Sequence, residues 1–177
     1  MSRLPRSATE LTPVRAEPRD DAEQVTQAVA GEPLWVEEER DGWLRVRTAY
    51  GYPGWIRDAS GGDAVAAARA YLGTRYEWGG LSEQGIDCSG LVHMAYRAVG
   101  RFVPRDAHEQ EDAGEHVTEP RPGDLATYGD GERADHVAFW LGAGRILHAT
   151  HREGVHAVVE EDEPPSLRSR RRRFVRL

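Results

Sequence analysis

The chain has 177 residues, enough for one ordinary domain or two small ones. Hydrophobic residues make up 39% and charged residues 30%, the balance of a globular protein, and a net charge of -7 argues against a general nucleic-acid binder. All 23 basic residues are Arg, which reads as genomic bias rather than function. A single Cys rules out an intramolecular disulfide. The opening MSRLPRSATELTP lacks the apolar core of about 7–15 residues that marks a secretory leader. No stretch approaches the roughly 18 apolar residues of a membrane span. The expectation is a cytoplasmic protein with neither a membrane nor a nucleic acid as partner.

Residues 8–58 read as strands and turns. Leu34-Trp35-Val36 and Trp43-Leu44-Arg45-Val46 flank Asp41-Gly42, a strong hairpin signal. Gly51-Tyr52-Pro53-Gly54-Trp55-Ile56 is a turn feeding a last short strand. With no helical period here, a small all-β barrel is expected. Residues 59–63, with Ser60-Gly61-Gly62 at their centre, read as a linker, and residues 64–177 as a second domain. Asp63 caps a predicted helix over Ala64 to Leu72. Thr74 to Asp87 reads as loop. From Cys88, the apolar positions Leu91, Val92, Ala95 and Val99 follow a helical period until Gly100. Strands are predicted over Asp124 to Tyr128, His136 to Leu141, Arg145 to Ala149 and Gly154 to Val159. Helices followed by antiparallel strands make this half α+β. In the Arg-rich end, a run that invites an anionic partner, Phe174 and Val175 point to a strand closing the sheet.

Cys88 stands at the first turn of its helix, in Gly85-Ile86-Asp87-Cys88-Ser89-Gly90. A helix N-terminus favours thiolate, and its free N–H groups can hold an oxyanion. The alternative is a buried structural thiol, against which the small polar neighbours argue. A nucleophilic Cys needs a base. Of seven His residues, His136 and His148 lie in short apolar strands, while His93 falls on the helix face away from the apolar stripe. Side chains alternate along a strand, so His136 shares a face with Ala138 and Trp140, and His148 with Ile146. If Leu141 pairs with Arg145 around a three-residue Gly142-Ala143-Gly144 loop, His148 lies opposite Ala138, diagonal to His136 and within reach. A two-residue loop sends the two rings to opposite faces. The sequence thus permits a Cys–His–His triad in which His148 orients His136. The alternatives are satisfied sheet or surface histidines, or a zinc site on the same three residues. There is no CxxC, HExxH or telling fourth ligand for zinc, so neither metal nor cofactor is expected.

These residues bring a resemblance with them. Tyr76-Glu77-Trp78-Gly79-Gly80, Asp87-Cys88-Ser89-Gly90-Leu91-Val92, Arg105-Asp106, Arg121-Pro122-Gly123-Asp124-Leu125, Ala134-Asp135-His136-Val137-Ala138 and Ile146-Leu147-His148-Ala149 follow in order. Over roughly residues 64 to 160 the chain resembles the NlpC/P60 cysteine peptidases. The resemblance implies a papain-like α+β fold with Cys88 as nucleophile, His136 as base and His148 as the orienting residue. It implies substrate contacts at Tyr76, Trp78, Asp87 and Ser89, with Tyr76 beside the oxyanion. Ala107 departs from the pattern, since related sequences often carry Ser there.

Val14-Arg15-Ala16-Glu17-Pro18, Gly31-Glu32-Pro33, Asp41-Gly42-Trp43 and Gly51-Tyr52-Pro53-Gly54-Trp55 resemble a bacterial SH3 domain. Together the two halves resemble γ-D-glutamyl-L-diamino acid endopeptidases of murein-peptide recycling. That implies a small peptide substrate with a free N-terminal L-Ala, whose amine is held by Glu17, Tyr52 and Asp87. Without the resemblance these read as a solvated turn residue, a packing aromatic and a helix cap. The resemblance also implies that the SH3 domain packs on the catalytic domain, for which a linker spanning at most about 18 Å is suited. The rival readings are a secreted hydrolase of intact wall, a non-catalytic SH3 binding module, and an acyltransferase on the same fold.

Overall fold

A computed structural model describes residues 5–59 and 61–177. Met1–Leu4, part of the stretch searched for a leader, and Ser60, at the centre of the expected linker, lie outside the described residues. By contact the chain divides into two units, Met1–Gly62 with Tyr96–Phe102, and Asp63–Ala95 with Val103–Leu177.

The first unit carries six strands: β1 (Arg6–Ser7), β2 (Thr12–Arg15), β3 (Gln24–Ala28), β4 (Pro33–Arg40), β5 (Trp43–Arg47) and β6 (Pro53–Arg57). They form one sheet in the order β1-β4-β5-β6-β2-β3. Asp41 and Gly42 join β4 to β5 with φ of 50° and 76°, and Arg40 pairs with Trp43. Two left-handed residues are what a two-residue hairpin demands, and Asp-Gly supplies them at little steric cost. Along β5 Leu44 and Val46 turn inward while Arg45 and Arg47 face water. The inward residues join Ala8, Val14, Ala28, Leu34 and Ile56 in a small apolar core.

The second unit opens with α1 (Ala64–Arg69), whose first turn is held by Asp63 accepting from the Val65 N–H at 2.9 Å. The expected loop before Cys88 contains two short paired strands, β7 (Leu81–Ser82) and β8 (Gly85–Ile86). Then come α2 (Cys88–Ala98), whose residues from Tyr96 onward count with the first unit, α3 (Ala107–Ala113) and β9 (Glu115–Val117), followed by β10 (Leu125–Tyr128), β11 (His136–Gly142), β12 (Arg145–Arg152), β13 (Val155–Asp162), α4 (Pro165–Arg168) and β14 (Arg171–Arg176). The main sheet has the order β13-β12-β11-β10-β14-β9. Leu91, Val92 and Ala95 are buried, as the helical period of α2 requires. His93 is buried too, its Nδ1 2.8 Å from the Val103 carbonyl: it is a satisfied core histidine, not an outward one. The Arg-rich end is β14, between β10 and β9. Its arginines meet carboxylates of this unit: Arg171 meets Glu163, Arg172 meets Glu111 and Arg176 meets Asp124. Among the described residues no helix is long and apolar enough to cross a membrane.

The β11–β12 hairpin sets the faces of the sheet. Phe139 pairs with Leu147 and Trp140 with Ile146, the expected register. The connection differs from expectation. Gly142 pairs with Arg145, leaving a two-residue turn of Ala143 and Gly144, both left-handed (φ 52° and 80°). A register shift between Trp140 and Gly142 inserts the extra residue instead. One residue of bulge does what one residue of loop was expected to do, and His136 and His148 stay on one face.

Candidate active site

Cys88 is the first residue of α2. Asp87 caps the helix, its Oδ1 accepting from the Gly90 N–H at 2.7 Å, while the Asp87 carbonyl receives the Leu91 N–H at 2.9 Å. Oδ2 of Asp87 accepts from the Gly79 N–H at 2.7 Å and from Arg105 at 2.8 Å. Arg105 also donates to Ser89 Oγ at 2.9 Å. Asp87 and Ser89 are thus buried parts of a bonded frame that fixes the start of the helix. The loop can close on α2 only because position 90 is Gly: a Cβ there would stand 2.4 Å from the Gly80 carbonyl oxygen.

The thiol is buried, contrary to the exposure its small neighbours led us to expect. Burial pushes it up to about 11, further raised by the Asp87 carboxylate and opposed by N–H groups of Val137, Ser89 and Cys88. Desolvation therefore outweighs the helix terminus, and the resting sulfur is a neutral thiol. The Val137 N–H at the sulfur places Cys88 against the start of β11, beside His136.

His136 Nε2 lies 2.8 Å from His148 Nδ1, and His148 Nε2 lies 3.0 Å from Glu161 Oε1. Glu161 Oε2 accepts from Arg152 at 2.5 Å. The chain of bonds fixes the tautomers. A carboxylate only accepts, so His148 Nε2 carries the proton and its Nδ1 is the acceptor. His136 Nε2–H then donates to it, which leaves His136 Nδ1 as a bare lone pair for the sulfur's proton. Burial, then the neighbouring His148 and Arg170, push His136 down to about 3, so the ring rests neutral. His148 is fully buried. Hydrogen bonding to His148 is the main influence holding Glu161 below the usual carboxylate range.

Glu161 and Arg152 were not singled out from the sequence. Their signal is register: His148 pairs with Val159 and Ile146 with Glu161, so Glu161 sits diagonally across from His148.

The remaining expected residues fall in three places. Tyr76 stands near the thiol. Burial and the Cys88 and Asp87 charges push its hydroxyl up to about 12, so it stays a donor. Trp78 is 82% exposed and overhangs two clefts. One, of about 490 Å³, contains Cys88, Asp87, Ser89 and Ala107. The other, of about 780 Å³, contains Tyr76, His136, His151 and Arg152. Glu17 and Tyr52 belong to the first unit, Glu17 exposed and paired with Arg19 at 3.2 Å, Tyr52 tilted against Tyr50 with ring centroids 6.3 Å apart. Among the described residues no group of three or more His, Cys, Asp or Glu is placed to hold a metal ion.

Comparison with known proteins bears on this arrangement. Residues 73–169 match a sequence model described as NlpC/P60 family, and residues 14–60 one described as bacterial dipeptidyl-peptidase Sh3 domain. The chain is 33% identical over 125 residues to a γ-D-glutamyl-L-lysine dipeptidyl-peptidase of Bacillus subtilis, covering 63% of this chain and 42% of that one. It is 38% identical over 105 residues to the peptidoglycan endopeptidase RipB of Mycobacterium tuberculosis, covering 51% and 43%. The chain thus spans less than half of these relatives. Among solved structures, RipB is 33% identical with a TM-score of 0.55, covering 64% of this chain and 61% of that one. An NlpC/P60 family protein of Bacillus cereus shares the fold at 23% identity and a TM-score of 0.62, covering 99% and 63%.

Proposed function

Because the chain belongs to the NlpC/P60 family, we propose that it is a cysteine peptidase that hydrolyses the γ-D-Glu–diamino acid bond of short cell-wall peptides. The observation that carries the reading is the Glu161–His148–His136 chain, which leaves His136 Nδ1 as a bare lone pair, with the Cys88 sulfur held by the N–H of Val137, the next residue in the chain. Cys88 Sγ attacks the γ-carbonyl carbon as His136 Nδ1 takes its proton. With the thiol at about 11 and His136 at about 3, the transfer accompanies attack rather than preceding it. The oxyanion is met by N–H groups at the start of α2 and by the Tyr76 hydroxyl. The C–N bond breaks as His136 returns the proton to the leaving amine. Water then releases the acyl group by the same route.

The likeness to a γ-D-glutamyl-L-lysine dipeptidyl-peptidase supports a role in recycling such peptides. On the same ground Glu17 and Tyr52 are proposed to recognise a free N-terminal amine. The likeness to a peptidoglycan endopeptidase favours a second reading, hydrolysis of intact wall. Mass spectrometry of L-Ala-γ-D-Glu-L-Lys incubated with the protein, beside purified peptidoglycan, separates the two. Release of L-Lys from the tripeptide, abolished in Cys88→Ala, is expected. Turnover of peptidoglycan alone transfers the assignment to the second reading, and turnover of neither removes both.

A further inference from the structure

The leaving group has a definite side of the site. Its nitrogen must reach His136 to be protonated, so the residue it belongs to enters the 780 Å³ cleft that His136 lines. The acyl side lies toward Cys88, Asp87 and Ser89 in the other cleft.

The leaving-side cleft carries two guanidinium groups, which differ in how they are used. Arg170 is spent on carboxylates, with Asp130 and Asp135 each at 2.6 Å. Arg152 meets one carboxylate, Glu161, through a single nitrogen, and Glu161 is shared with His148. The Arg152 Nε is buried and has no hydrogen-bond partner among the described residues. A buried donor left unpaired is unfavourable, and a guanidinium prefers a planar anion that it can grip with two N–H groups.

We propose that Arg152 reads a carboxylate on the leaving residue. The class of substrate is then a peptide whose diamino acid bears a free carboxylate on the leaving side, either its own α-carboxylate at the peptide's end or a second one on its side chain. A substrate in which that carboxylate is absent or amidated leaves Arg152 Nε as it stands. The inference rests on the proposed peptidase reading and gives its leaving-side specificity.

Three substrates test it: L-Ala-γ-D-Glu-L-Lys as free acid, the same peptide as C-terminal amide, and L-Ala-γ-D-Glu-diaminopimelate amidated at its α-carboxyl. In the wild type, at least one carboxylate-bearing substrate is expected to exceed lysinamide in kcat/KM by 10-fold or more, and which one does identifies the carboxylate. In Arg152→Gln that preference collapses to less than about 2-fold, on top of any loss through Glu161 that all three substrates share. Equal wild-type rates on all three overturn the inference and leave the peptidase reading intact. So does an Arg152→Gln loss that is the same on every substrate, for that marks a residue acting only through Glu161. No cleavage of any of them sinks the peptidase reading itself.

Discussion

The Glu161 carboxylate lies 3.0 Å from His148 Nε2 and thereby decides which nitrogen of His136 carries a proton, two bonds of the chain away. Replacing Glu161 by Ala leaves His148 free to donate from Nδ1 instead, which turns the His136 lone pair toward His148 and away from the sulfur. We expect kcat to fall by about 10-fold or more with KM little changed, as for an orienting member of a triad. His136→Ala is expected to remove activity almost entirely. Steady-state kinetics on the cleaved peptide check both, and an unchanged kcat in Glu161→Ala would show that the tautomer is set otherwise.

A thiol held near 11 by burial has a clear signature. Alkylation by iodoacetamide is expected to be slow at pH 7 and to rise about 10-fold per pH unit up to about pH 10, since only thiolate reacts. The chain has one Cys, so mass spectrometry reads the site directly. A rate that levels off below pH 8 would mean a resting thiolate–imidazolium pair.

His136 predicts the acid side of stability. In the folded chain it is pushed down to about 3, whereas in the unfolded chain it titrates near 6.5. Between those values the unfolded state binds the extra proton. The contribution to stability is therefore complete above about pH 6.5 and is lost as pH falls toward 3. The slope from this one group approaches about 1.4 kcal/mol per pH unit in the middle of that window. His136→Gln should flatten the dependence of unfolding free energy on pH there, measured by denaturant titration at several pH values.

Two substitutions test the backbone frame. Gly90→Ala forces a methyl group into the Gly80 carbonyl and is expected to destabilise by about 1–3 kcal/mol, with activity falling as the loop retreats from Cys88. Ala143→Asn replaces a left-handed Ala with a residue that enters that region more readily. It should raise the melting temperature slightly and leave kcat unchanged. Thermal melts of both variants decide.

Much of the site could be read from local pattern. Period-two alternation with an odd residue between the strands put His136 and His148 on one face, although that residue is a bulge and not part of the turn; a helical period put Cys88 at the start of α2, and Asp41-Gly42 announced its hairpin. What escaped depended on pairing across the chain. Glu161 meets His148 only through the β12–β13 register. The short helix Ala107–Ala113 has too few apolar residues for a periodic stripe. The Arg run at the end looks like a surface patch until folding brings Glu111, Asp124 and Glu163 to it. Thiolate character at Cys88 was overestimated because the sequence shows a helix start but not the depth at which it is buried.

The place of β14 has a consequence for biosynthesis. Arg171–Arg176 bonds to β10 on one side and β9 on the other, and β10 is the strand that holds β11 with His136. Chains fold progressively as they leave the ribosome, yet here the sheet bearing the base has a gap until this late-made segment emerges. Nascent chains should therefore carry the thiol long before they carry a finished site, and competence to react should arrive abruptly, once residues 171–176 have left the ribosome.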